Sequence, residues 1–120
     1  MNSIDTPSWI ENVTYDELSV GQSAHLRRTL TLADIQAFAA VSGDINPAHL
    51  DPEYANDTLF HGVIAHGMWG GSLISALLGT EFPGPGTIYL HQDLDFLRPV
   101  RVGDTLDVEV TVTAKEDEHH

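Results

Sequence analysis

The 120-residue chain has no cysteine, which rules out a disulfide framework and thiolate metal sites. Lysine is nearly absent, with Lys115 the sole example among five basic residues, set against 18 acidic ones. The resulting formal charge of −13 repels polyanions, so neither nucleic acid nor an anionic membrane surface is an expected partner. No apolar run approaches the roughly 20 residues that cross a bilayer. The opening Met1-Asn2-Ser3-Ile4-Asp5 lacks the basic-then-apolar pattern of a secretory signal. A cytoplasmic location is the expectation. An acid-rich, lysine-poor surface also matches proteins of high-salt cytoplasm, where screening relieves self-repulsion.

Apolar residues make up 42% of the chain, enough for one domain with one modest core. The expected single domain spans residues 1–120, with 1–13 as a loose, polar arm.

The densest chemistry lies in Ser42-Gly43-Asp44-Ile45-Asn46-Pro47-Ala48-His49-Leu50-Asp51-Pro52. Pro47 fixes its own φ and biases Asn46 towards extended backbone, so a preceding helix should stop there, with Gly43 as its left-handed exit. The expectation is a short, stiff loop that holds Asp44 and His49 in fixed relation. A carboxylate and an imidazole so placed are the usual parts for moving a proton to or from water. The same residues are also good turn chemistry, because Asp and Asn bond their own backbone.

The rest of the chain frames this loop. Ala24–Leu30 alternates as a strand. Thr31 is an N-cap with Asp34 three residues on, and Leu32–Ser42 has the helical spacing Leu32, Ile35, Phe38, Ala39, Ser42. Asp51 caps a short turn opened by Pro52-Glu53. Met68–Leu78 carries no charge and predicts a helix buried nearly all round. Phe82-Pro83-Gly84-Pro85-Gly86 breaks the chain. Residues 87–96 predict a strand, as does Thr105–Thr113, where Leu106, Val108, Val110 and Val112 share one face. That last strand lacks a returning partner before the charged Lys115-Glu116-Asp117-Glu118, so further strands are expected beyond the sequence given.

Five segments in this order resemble the MaoC-like, (R)-specific enoyl-CoA hydratases of the hot-dog fold. They are Phe38–Asp51, Ile64-Ala65-His66-Gly67-Met68, Leu77-Leu78-Gly79, Pro83–Tyr89 and Phe96–Asp104. The resemblance implies an α+β hot-dog fold, in which a curved antiparallel sheet wraps the helix at 68–78, and a homodimer. It implies that Asp44 and His49 are the catalytic pair, Asn46 an accompanying amide and Gly67 the backbone donor to the thioester oxygen. Ser75 falls on the family's active-site serine. It implies an acyl-CoA substrate with no metal and no cofactor.

Gly67 at a helix start would offer a free N–H on the positive end of the dipole. Its missing side chain would let the thioester approach. His66 reads as a packing or hydrogen-bonding histidine. His25, His61 and His91 lack metal-site spacing, and His119 and His120 read as tail. Arg27, Arg28, Arg98 and Arg101 are candidates to meet an anionic thioester carrier. Two other readings stand beside hydration of 2-enoyl-CoA. One is dehydration of 3-hydroxyacyl chains on acyl carrier protein; the other is a non-catalytic hot-dog module that binds acyl-CoA or only dimerises.

Overall fold

A computed structural model describes residues 12–117. The amino-terminal arm expected at 1–13 and the terminal histidines fall almost wholly outside that range. A 3₁₀ turn at Tyr15–Glu17 leads into strand β1, Ser23–Thr29. Helices α1 (Leu32–Ser42), α2 (Pro47–Leu50), α3 (Pro52–Asn56) and α4 (Gly67–Ala76) follow, and strand β2 (Thr105–Thr111) comes last.

Local chemistry sets the helix ends. Thr31 accepts from the Asp34 N–H while the Asp34 side chain returns a bond to the Thr31 N–H, a reciprocal cap that opens α1 where the sequence placed it. Gly43 closes α1 at φ 79°, its N–H bonded to the Ala39 carbonyl. A β-carbon is disfavoured in that left-handed conformation, hence glycine. Only Ile35 and Ala39 of α1 are buried.

The loop expected after α1 contains a helical turn of its own, α2. The Asn46 side chain caps it by accepting from the Ala48 N–H, and Pro47 sits in its first turn. The Asn-Pro pair that ends one helix therefore starts the next. Asp51 repeats the device for α3, accepting from the N–H groups of Glu53 and Tyr54.

β1 and β2 pair with each other. The register is antiparallel: the Thr29 and Thr105 hydroxyls meet at 2.7 Å, while Gly21 and Gln22 bond to Val112. Both strands lie within a residue or two of their expected positions. The strand expected at 87–96 does not form, because no ladder pairs it among the described residues. Alternation names an apolar face but not the neighbour that supplies hydrogen bonds. Ile88, Leu90, Phe96 and Leu97 are accordingly exposed.

α4 begins one residue before its expected start and passes into a π-helical turn, Leu77–Glu81. It is not buried all round. Trp69 and Leu73 of α4 are buried, as is Leu77 just after it, while Met68, Ser72 and Ser75 are exposed. Burial of that helix needs sheet on more sides than the two described strands supply.

Contacts divide the chain into two units. The one that carries the site comprises Arg27–Ser72 and Asp93–Asp107, with Leu30, Ile35, Ala39, Ala55, Ala65 and Trp69 as its buried apolar residues. In the other, Leu73, Leu77 and Phe82 are buried. There the Tyr15 hydroxyl donates to Asp117, and the Lys115 ammonium sits 4.3 Å above the Tyr15 ring while donating to the Leu18 carbonyl.

Candidate active site

Asp44 is gripped through its backbone. Its N–H donates to the Ser42 hydroxyl at 3.1 Å, and its carbonyl accepts from His66 Nε2 at 2.8 Å. Its carboxylate is exposed, with Oδ1 taking the Asn46 N–H at 3.3 Å. One carboxylate oxygen thus braces the loop and the group stays open to a reactant.

His49 sits on α2, directed by the Asn46 cap. Its Nδ1 lies 2.8 Å from the Ile64 carbonyl oxygen. A carbonyl can only accept, so Nδ1 carries the hydrogen and Nε2 of the neutral ring keeps its lone pair. Ile64 is itself held by an antiparallel bridge to Arg101, and Ala65 N–H bonds to the Val100 carbonyl at 2.8 Å. The second motif of the sequence therefore sets the tautomer of the first.

His66 joins the pair. It is 3% exposed, and its ring stacks on His49 with centroids 3.9 Å apart and planes 23° from parallel. Phe38 packs at 4.9 Å from the same imidazole. The reading of His66 as a packing and hydrogen-bonding residue holds, but its partners are the two candidate proton-transfer residues. Nothing in the spacing showed this, since 22 residues separate His66 from Asp44.

Asp44, His49 and His66 each bring a ligand-type atom within 4.8 Å of the others. Histidine binds metal in the plane of its ring, at about 2.0–2.1 Å for zinc. His49 Nδ1 and His66 Nε2 are committed as donors to main-chain carbonyls, which leaves His49 Nε2 and the Asp44 carboxylate for proton transfer.

Gly67 is the first residue of α4, so its N–H is one of the four that an α-helix leaves without an intrahelical acceptor. Gly67 is exposed. A β-carbon there would lie 3.1 Å from two Phe96 ring carbons. The space that glycine leaves is thus lined by Phe96, a neighbour the sequence did not suggest. Asn46 spends its side-chain oxygen on the α2 cap. Ser75 is exposed on α4 and belongs to the other unit.

The MaoC-like domain profile matches residues 17–120. The chain belongs to this MaoC-like family. Among its curated relatives, an (R)-specific enoyl-CoA hydratase of Rhodospirillum rubrum is 50% identical over 99 residues, covering 82% of this chain and 69% of that protein. An (R)-specific enoyl-CoA hydratase of Aeromonas caviae is 50% identical over 101 residues, covering 84% and 75% respectively. An unliganded R-hydratase from Pseudomonas aeruginosa superposes with a TM-score of 0.86 at 54% identity, covering 90% of this chain and 70% of that one. These MaoC-like neighbours establish the α+β hot-dog fold.

Proposed function

We propose that the chain is an (R)-specific 2-enoyl-CoA hydratase, adding water reversibly to trans-2-enoyl-CoA to give (R)-3-hydroxyacyl-CoA. The observation that carries this is the pairing of a tautomer-fixed His49 with the open carboxylate of Asp44, in a chain half identical to enzymes of that name.

The residues account for each step. Water lies between the Asp44 carboxylate and His49 Nε2, both of which accept protons. Its O–H bond breaks as oxygen bonds C3, and the C2=C3 electron pair moves towards the thioester. The Gly67 N–H meets the enolate oxygen that forms, aided by the positive end of α4. The proton held by the Asp44–His49 pair then goes to C2, and the thioester carbonyl is restored. No atom is gained or lost beyond the water. Dehydration runs the same steps backwards with acid and base exchanged. Asn46 supports the pair by capping α2, and Ser75 is proposed as a substrate-binding or supporting residue. The chemistry calls on no cofactor; coenzyme A arrives as part of the substrate.

Four exposed arginines, Arg27, Arg28, Arg98 and Arg101, belong to the unit that carries the site and suit the phosphates of coenzyme A. Exposed Phe96 and Leu97, in the unit that carries the site, favour a homodimer that covers them. Among the described residues no helix is long and apolar enough to cross a membrane. The proposed location of the enzyme is the cytoplasm.

The test is loss of enoyl-thioester absorbance with crotonyl-CoA, followed by chiral analysis of the 3-hydroxyacyl product. Turnover to the (R)-isomer supports the assignment. Binding without turnover would replace it by the acyl-CoA-binding module, and turnover only of carrier-protein thioesters by the dehydratase.

A further inference from the structure

We propose that His66 is a positioning residue for proton transfer, locking Asp44 and His49 into a single arrangement. This rests on the hydratase reading of the same site. His66 Nε2 must carry the hydrogen, because its partner at 2.8 Å is the carbonyl oxygen of Asp44. The hydrogen bond fixes the backbone that presents the Asp44 carboxylate. The face of the same ring supports His49 at 3.9 Å. One buried side chain therefore touches both members of the pair.

A purely structural origin for His66 meets a difficulty. Among the described residues, its buried Nδ1 has no hydrogen-bond partner. A phenylalanine would fill such a pocket without burying an unpaired nitrogen, so packing alone favours a different residue. What the imidazole adds over phenylalanine is the Nε2–H aimed at Asp44. His66 also immediately precedes Gly67, so the helix start that offers the candidate oxyanion donor and the brace for the proton-transfer pair are adjacent residues.

Two variants separate these roles. His66→Phe keeps an aromatic face for His49 and removes the donor; His66→Gln restores an N–H donor without the ring. With rates taken per folded molecule, H66F should lower kcat about 10- to 100-fold, the scale of a misplaced catalytic group, while KM stays within about twofold. H66Q should recover several-fold over H66F. Wild-type kcat in H66F, a change confined to KM, equal impairment of both variants, or failure of both to fold would each overturn the proposal. Ring-nitrogen NMR of the wild-type protein gives a readout that needs no substrate. A single Nε2–H tautomer for His66 supports the assignment, and a tautomer mixture overturns it. Wild-type protein that leaves crotonyl-CoA unchanged would count against the hydratase reading, and the NMR result would then decide the role of His66 by itself.

Discussion

His49 and Ile64 are joined by a 2.8 Å hydrogen bond from the ring Nδ1–H to the main-chain carbonyl. In the neutral ring that bond leaves the lone pair on Nε2. A side chain that would otherwise exchange between two tautomers is held in the one able to take a proton from water.

Asp44→Asn removes the proton acceptor and keeps an oxygen for the Asn46 N–H. Its kcat for crotonyl-CoA hydration should fall by about 10²–10⁴, the usual contribution of a general acid–base group. The melting temperature should barely change, since the carboxylate is exposed. Activity near wild type in a folded D44N protein would sink the assignment.

Asn46→Ala should cost about 1 kcal/mol by uncapping α2, with kcat reduced because His49 rides on that four-residue helix. Chemical denaturation and steady-state kinetics on one preparation would show both losses. Loss of stability without loss of rate would free His49 from dependence on the cap.

Gly67 can be interrogated with two substitutions that both add a β-carbon against Phe96. Gly67→Ala keeps the N–H, whereas Gly67→Pro removes it at a first-turn position that proline tolerates. The ratio of their kcat values isolates the donor and should be about 10²–10³ in favour of alanine. Equal rates would remove Gly67 N–H from the mechanism.

With a formal charge of −13, self-repulsion should weaken the fold at low ionic strength. Thermal melts should therefore rise with sodium chloride, most steeply as the Debye length shrinks from about 30 Å at 0.01 M to about 3 Å at 1 M. A melting temperature indifferent to salt would count against an adaptation to high-salt cytoplasm.

Tyr15 donates to Asp117, and that hydrogen bond, followed by the cost of burial and by neighbouring negative charge, raises its phenol from 10.0 to about 12. A raised acid stabilises the fold in full below its unfolded value, and the contribution fades as pH climbs through about 12. Ultraviolet titration should show a late phenolate that disappears in Tyr15→Phe, and that variant should lose the alkaline component of unfolding. A Tyr15 phenolate appearing near pH 10 would contradict the bond.

Much of this molecule is written in short-range chemistry. Thr31 with Asp34, Gly43, Asn46 with Pro47, and Asp51 each act over four residues or fewer, so the limits of α1 and the capped start of α3 were legible from the sequence. The spacing of Asp44 and His49 was legible for the same reason. α2 was missed because one turn of helix carries too few residues to show a period. Ladder partners were not legible: residues 87–96 alternate as a strand should, yet no neighbour pairs with them among the described residues.

The sequence by itself determined the helix caps, the charge, the order of motifs and hence the MaoC-like family. Only the tertiary structure decided that His66 braces Asp44 and His49, that Ile64 sets the His49 tautomer, and that Phe96 lies against Gly67. Caps and turns close bonds within a few residues of chain, whereas these contacts span 15 to 22 residues or more and exist only once packing has chosen which segments meet.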